Sequence, residues 1–222
     1  MSIIYLLSGP NKDTGFSKEI KEILKQDLKN KKSIAFIPTT PNDYSKTELY
    51  VYGNNNNVIG IIPLLQEISS LKDINIIDNR VSKEEAKKII PNSDILYLLG
   101  GNPFNQLEYL QKENYDNLIK EFSGIIIGTS AGAMNLAKEA YYSKDEELKE
   151  SMFYQALGLV DITIDPHFDI NNKEQMSEII KNSNHKRIVG LPEESGIRIA
   201  NKNISYINKC YQFEKEKMTE IN

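Results

Sequence analysis

The residues Gly128-Thr129-Ser130-Ala131-Gly132 are of a type and spacing that could carry acyl transfer. They form a G-x-S-x-G pattern after the apolar run Ile125-Ile126-Ile127 and before a helix-like stretch. This fits a nucleophile elbow, a sharp strand-to-helix turn with the serine at its tip. Small neighbours let the backbone pass close beneath, and a helix N-terminus adds partial positive charge. The same five-residue pattern recurs without function, so the weight falls on the groups around it. A serine hydroxyl needs a base, and the chain has two histidines. His185 lies in the polar run Asn182-Ser183-Asn184-His185-Lys186, on the amino side of a strand, and reads as a surface residue. His167 ends a strand-like run and is the base within reach of Ser130. A carboxylate must orient that base. Glu193, Glu194, Asp161, Asp165 and Asp169 compete for the role. Glu193 and Asp165 are better placed, since each follows a strand at the active end, and spacing does not separate them. Acyl transfer also needs donors for the oxyanion. The Ala131 amide is one, and the glycine turn Gly100-Gly101 on the neighbouring strand supplies the other, at Gly101. Gly100-Gly101-Asn102 could instead cradle a phosphate, but neither G-x-G-x-x-G nor G-x-x-x-x-G-K-[ST] occurs. With two separated histidines and one cysteine, the chain lacks a metal-ligand pattern.

Elements that position these residues follow from the hydrophobic pattern. Ile3–Leu7, Ile34–Ile37, Ile95–Leu99 and Ile125–Ile127 are continuous apolar runs, and Ile74-Asn75-Ile76-Ile77 is a further apolar run broken only by Asn75. Such runs lack in/out alternation and suit parallel strands covered on both faces. Helical patterns lie between them. Ile20, Ile23, Leu24 and Leu28 line one face of a charged segment. Ser82-Lys83-Glu84-Glu85 reads as a capping box before Ala86, Ile89 and Ile90. Asn102-Pro103 reads as an N-cap followed by proline at the first helical position, with Phe104, Leu107 and Leu110 on the buried side. Strand alternating with helix predicts a three-layer α/β fold: an open, mostly parallel sheet with helices on both faces. Asn54 to Asn57 reads as a solvated loop between two helical pieces. Tyr141 to Ser151 reads as a charged, mobile stretch. Leu159–Ile164 and Arg187–Leu191 read as further strands, and Gly196–Ala200 with Ile204–Ile207 as a hairpin turning at Asn201-Lys202-Asn203. The tail from Glu214 is charged and expected to be solvated. In such sheets ligands bind beyond the carboxyl ends of the strands. Gly100-Gly101-Asn102, Ser130, His167 and Glu193 all fall there.

Size and charge narrow the function classes. A chain of 222 residues suffices for one α/β domain over residues 1–222, and no linker-like stretch divides it. The net charge of −4, with both signs interspersed, speaks against a nucleic-acid surface or a polybasic membrane patch. One cysteine, Cys210, excludes an internal disulfide and suits a reducing compartment; it reads as a structural thiol. The N-terminus lacks a basic lead, and Gly9-Pro10-Asn11-Lys12-Asp13 ends its apolar stretch early. That predicts a first strand, not a signal peptide. No run approaches a membrane span. These features predict a cytoplasmic protein without a cofactor, monomeric or homodimeric.

Four blocks together resemble a known family: Leu99-Gly100-Gly101-Asn102-Pro103-Phe104, Gly128-Thr129-Ser130-Ala131-Gly132-Ala133, Asp165-Pro166-His167-Phe168 and Gly190-Leu191-Pro192-Glu193. They are similar, in order and along nearly the whole chain, to the peptidase E (aspartyl dipeptidase) family of serine peptidases, to which cyanophycinase is related. The resemblance implies a fold like that of the class I glutamine amidotransferases (flavodoxin-like), with serine in place of their elbow cysteine. It implies Ser130 as nucleophile and His167 as base, and it favours Glu193 as third member. It implies small peptides as substrates, dipeptides with an N-terminal aspartate foremost. Asn102 and Lys173 are then the substrate-binding candidates. The chain departs from the family where members carry arginine shortly after the P-H-F block. Residues 169–175 hold Lys173 as their only cation, and Arg80, Arg187 and Arg198 lie elsewhere. A lysine holds a carboxylate as a point charge, without a bidentate grip. Pro103 also stands where many members have threonine.

Two other readings stand beside this one. An α/β-hydrolase esterase would place its acid between serine and histidine, at Asp161 or Asp165, against the order Ser130, His167, Glu193. A non-catalytic binding protein on the same fold would be signalled by loss of Ser130, His167 or the glycines, all of which are present.

Overall fold

The structure is a computed structural model that describes residues 2–11, 13–54, 58–144 and 148–222. The chain opens with β1 (Ile3–Leu7), α1 (Lys18–Asp27), β2 (Ser33–Ile37) and α2 (Tyr44–Tyr52). Then follow β3 (Gly53–Asn54), β4 (Val58–Ile59), α3 (Ile61–Gln66), β5 (Asp73–Ile76) and α4 (Lys83–Asn92). Next come β6 (Ile95–Leu98), α5 (Pro103–Glu113), α6 (Tyr115–Glu121), β7 (Ile125–Thr129) and α7 (Ala131–Met134). After these lie β8 (Glu139–Tyr142), β9 (Met152–Gln155), β10 (Thr163–Pro166), α8 (Lys173–Asn182) and β11 (Ile188–Leu191). Four strands finish the chain: β12 (Gly196–Ala200), β13 (Asn203–Ile207), β14 (Cys210–Glu214) and β15 (Lys217–Ile221).

The result is an α/β fold with a mixed central sheet and flanking helices. Seven strands lie in the order β13-β12-β1-β7-β6-β2-β5. The five from β1 to β5 run parallel, while β12 and β13 pair antiparallel. The runs of β1, β2, β6 and β7 are buried on both faces, as their lack of alternation requires, while β5, at the sheet edge, is only half-buried. Tyr5, Leu7, Phe36, Tyr97 and Ile127 pack against α1 and α3. Ile4, Leu6, Ile37, Leu98 and Ile126 pack on the opposite side, against α4, α5 and α6. Ser17, Ser82 and Asn102 cap α1, α4 and α5, each accepting from backbone amides in the first turn. Cys210 is wholly buried, and burial pushes its thiol up to about 11.

Several expectations need correction. The strands that carry His167 and Glu193 do not extend the central sheet; β10 and β11 lie in a second sheet, ordered β10-β11-β14-β15. The strand expected from Leu159 begins at Thr163. The amides of Leu159 and Val160 both bond the carbonyl of Leu136, and Val160 makes only an isolated parallel bridge with Ala137 in place of a strand ladder. The tail is ordered: β15 pairs with β14 from Cys210↔Ile221 to Glu214↔Lys217. Its side chains are exposed up to Glu220, as expected of a solvated tail, and Ile221 packs against the core; charges on such an edge discourage further pairing. The start of the stretch expected to be mobile, Tyr141 and Tyr142, belongs to β8, which pairs with β9 just beyond that stretch, and Tyr141 is fully buried. Asn54 starts a two-residue hairpin with Val58 and Ile59 between α2 and α3; residues 55–57 lie outside the described residues. The helix after Ser130 is a single turn, so its dipole contributes little. The hairpin at Asn201-Lys202 stands as expected, both residues with positive φ.

Candidate active site

Strand register sets the site. Leu7 pairs with Thr129, and Leu98 pairs with Gly128. Continuing each ladder past its end brings Ser8, Ser130 and Gly100 out level, above the carboxyl ends of three neighbouring strands. The contacts agree: a Cβ on Gly100 would lie 3.2 Å from Ser130 Cβ.

Ser130 sits at φ 51°, ψ −120°, a conformation side chains rarely adopt. Its amide donates to Leu7 O across the sheet at 3.0 Å. Gly128 and Gly132 make this turn possible. A Cβ on Gly128 would meet the Ala133 backbone at 2.6 Å, and one on Gly132 would meet Leu98 O at 2.1 Å. The glycines of the pattern thus press the turn onto the sheet. The Ser130 hydroxyl makes no capping bond to the helix.

His167 Nε2 lies 2.8 Å from Ser130 Oγ, and His167 Nδ1 lies 2.6 Å from Glu193 Oε1. The second sheet supplies both partners. His167 follows β10 with φ 57°, Glu193 follows β11, and the parallel pair Pro166↔Leu191 aligns the two turns. The loop after β1 ties the two sheets together. Ser8 Oγ accepts from His167 N at 2.9 Å, and Gly9 O accepts from Glu194 N at 3.3 Å. A Cβ on Gly9 would approach Glu193 Oε2 and His167 Cε1 at 3.4 and 3.5 Å. Read as sequence, Ser8-Gly9-Pro10 only ends a strand; its role depends on the second sheet closing over it.

Glu193 alone of the five competing carboxylates bonds to His167 among the described residues. Asp165 is turned inward, bonded to Ser143 Oγ and to Gln175 Nε2, the latter at 2.9 Å. Burial pushes its carboxyl up to about 6. Asp161 pairs with Lys186, Asp169 accepts from the Asn171 amide, and Glu194 forms the turn beside Glu193 at φ 61°. The side chains of His167 and Glu193 are about half exposed, so the site opens to solvent.

The remaining candidates are placed as follows. Gly101 takes φ 131°, and a Cβ there would strike Thr39 Oγ1 at 2.3 Å, so glycine is required. Among the backbone hydrogen bonds of the described residues, the Ala131 and Gly101 amides engage no acceptor. Asn102 Oδ1 is committed to the α5 cap, bonding the Phe104 and Asn105 amides at 3.0 and 3.1 Å. Lys173 begins α8 and is exposed; no hydrogen bond joins it to Ser130, His167 or Glu193. His185 lies at the surface near Glu139. Among the described residues no group of three or more His, Cys, Asp and Glu could hold a metal ion, and no helix is long and apolar enough to cross a membrane.

A serine, a histidine and a carboxylate in one hydrogen-bonded line form an arrangement that can carry acyl transfer. Comparison with known proteins agrees: the sequence matches peptidase family S51 over residues 4–207. The chain belongs to peptidase family S51. It is an enzyme, a serine-type peptidase. Peptidase E of Haemophilus influenzae strain PittGG is 26% identical over 219 residues, covering 90% of this chain and 86% of the relative. An uncharacterized peptidase from Listeria monocytogenes is 28% identical over 145 residues, covering 62% of this chain and 66% of its own. A Listeria monocytogenes protein assigned to peptidase E, of known crystal structure, superposes with a TM-score of 0.67 at 24% identity, over 93% of this chain and 98% of that one. A peptidase from an acI-B1 actinobacterium gives 0.66 at 14% identity, over 100% and 94%. Both solved structures share the fold of this S51 member.

Proposed function

We propose that this S51 enzyme hydrolyses small peptides through a Ser130–His167–Glu193 triad, with the Ala131 and Gly101 amides as the oxyanion hole. The unbroken contact chain from Ser130 Oγ through His167 to Glu193 carries the reading. As Ser130 Oγ bonds to the peptide carbonyl carbon, its proton passes to His167 Nε2. Glu193 stabilises the imidazolium from the Nδ1 side. The two amides take the negative charge that grows on the carbonyl oxygen. The intermediate collapses, the C–N bond breaks, and His167 hands its proton to the departing amine. Water then attacks the acyl-enzyme, giving one proton to His167. Collapse of this second intermediate returns that proton to Ser130 Oγ and frees the acid.

The substrate in this reading is a dipeptide with an acidic first residue. Arg80 is tied to Asp78 and Glu48, and Arg198 to Asp27. Lys173 is the cation of the segment after His167, and this reading assigns it the substrate carboxylate. The Asn102 side-chain NH2 remains free to donate, since only its oxygen serves the cap. The same reading takes the fold as the class I glutamine amidotransferase type (flavodoxin-like), with serine at the elbow. It takes the chain as one domain over residues 1–222. The enzyme then works on free peptides in the cytoplasm, as a monomer or homodimer, without nucleic acid, membrane or cofactor.

Hydrolysis of Asp-Leu, Glu-Leu, Asn-Leu and Ala-Leu by wild type and by Ser130→Ala tests the proposal. Cleavage of Asp-Leu is expected, falling by about four to six decades in Ser130→Ala. Cleavage of the neutral peptides alone would discard the acidic preference and keep the mechanism. Full activity in folded Ser130→Ala would overturn the triad.

A further inference from the structure

Two buried amide side chains lie beneath the turns that present the Gly101 and Ala131 amides. Gln106, on α5, and Asn135, just after α7, are both fully buried. Gln106 Nε2 donates to Leu99 O at 3.2 Å and to Ile37 O at 3.1 Å. Asn135 Nδ2 donates to Pro103 O at 2.9 Å and to Gln106 Oε1 at 3.0 Å. Asn135 Oδ1 accepts from the Tyr154 hydroxyl at 3.1 Å. Every amide N–H in this pair therefore meets an oxygen. Flipping either amide would set oxygen against oxygen, so the orientation of the network is fixed.

The atoms it grips are telling. Leu99 O and Pro103 O are the carbonyls on either side of Gly100-Gly101-Asn102. Asn135 closes the turn that begins at Ser130, and its own amide bonds Ala131 O at 3.0 Å. One network thus joins the glycine turn after β6 to the elbow after β7. Core packing alone would be served as well by apolar side chains, since burying polar groups yields little net stability even when all are satisfied. Directional bonds add a fixed distance and angle between two backbone segments, and an oxyanion hole requires just that.

We infer that Gln106 and Asn135, braced by Tyr154, are positioning residues that hold the Gly101 and Ala131 amides at the separation the oxyanion requires. The inference rests on the reading of Ser130 and these amides as catalytic. Neither side chain touches the substrate. Their effect therefore belongs to kcat, where transition-state charge is stabilised, and leaves KM little changed.

The test compares wild type, Gln106→Met, Tyr154→Phe and Ser130→Ala on the best dipeptide of the panel. Gln106→Met keeps the length and removes the bonds; Tyr154→Phe removes one hydroxyl and keeps the ring against Phe104. A small misplacement of an oxyanion donor is worth about 100-fold in rate. We expect kcat to fall about 100-fold in Gln106→Met and about 3- to 10-fold in Tyr154→Phe, with KM within 3-fold of wild type. Inhibition by an alkylboronic acid, whose tetrahedral adduct on Ser130 places an oxygen in the hole, should weaken in step with kcat/KM. Lower thermal stability with unchanged kcat and boronate affinity would reduce the network to a structural brace and overturn the inference. Should Gln106→Met fail to fold, Tyr154→Phe decides by the same two readouts. Activity retained in Ser130→Ala would overturn the underlying site reading. Activity lost there but unchanged in the network variants would overturn the inference alone.

Discussion

At the scale of single residues, the choice between Glu193 and Asp165 turns on where each carboxylate points. Asp165 lies within β10, one residue before its end, whereas Glu193 lies two residues past the end of the neighbouring β11. Glu193 reaches His167 Nδ1, while Asp165 faces inward toward Ser143 and Gln175. Glu193→Gln is therefore expected to lower kcat/KM by about two to four decades, through loss of the charge that orients and stabilises the imidazolium. Asp165→Asn is expected to lower it less than tenfold. Steady-state kinetics of both variants on one dipeptide check the ranking, and the reverse order would assign the third position to Asp165. The spacing of the sequence placed both carboxylates at the active end and left them equal. Their places along the second sheet separated them: Asp165 is still in the ladder, opposite Gly190, and Glu193 is past it, and where each strand ends depends on the tertiary pairing.

Among the elements, the loop after β1 has the largest role that spacing did not announce. Ser8 is fully buried and bonds the His167 amide, while Gly9 lies against the His167–Glu193 pair. His167 stands at positive φ, so its backbone needs support from outside its own strand. Ser8→Ala would leave that buried amide without an acceptor, at a cost of about 1–3 kcal/mol. We expect a lower melting temperature together with a roughly tenfold fall in kcat at near-constant KM, as the imidazole drifts from Ser130. Thermal melts and steady-state kinetics measure the two effects; a stability loss with kcat intact would confine Ser8 to a structural role. Capping at Ser82 and Asn102, by contrast, was legible directly. A cap is a bond between near neighbours in sequence and needs no tertiary information.

For the molecule as a whole, Asp165 links stability to pH. Its carboxyl is pushed up to about 6, first by burial, with Glu178 adding to the rise; Ser143, Gln175 and the charge of His167 act in the opposite direction. Its folded-state value thus lies above the unfolded one, near 4. The stabilising contribution is complete below about pH 4 and is lost as pH rises through about 6. Asn at this position stays neutral throughout. The stability of Asp165→Asn relative to wild type should therefore grow by up to about 3 kcal/mol between pH 4 and pH 7.5, then level off. Urea denaturation of both proteins at these pH values checks the sign; a constant gap would show that the carboxyl titrates as an exposed group does.

The sequence by itself determined the five parallel strands, four of them buried on both faces, the caps of α4 and α5 and the elbow at Ser130. Apolar runs, capping residues and a G-x-S-x-G turn are all local patterns, and local sterics and hydrogen bonds read them out. It also determined which residue types would meet at the carboxyl ends of strands. Only the tertiary structure decided that His167 and Glu193 arrive on a second sheet, that Ser8 locks this sheet to the first, and that Leu159 and Val160 turn in to Leu136 before β10 begins. Gln106 and Asn135, ordinary polar residues in the sequence, became the joint between the glycine turn and the elbow. Each of these outcomes depends on contacts between distant segments. No periodicity records them, because their partners are chosen by where the sheets pack and by which buried polar groups still need a bond.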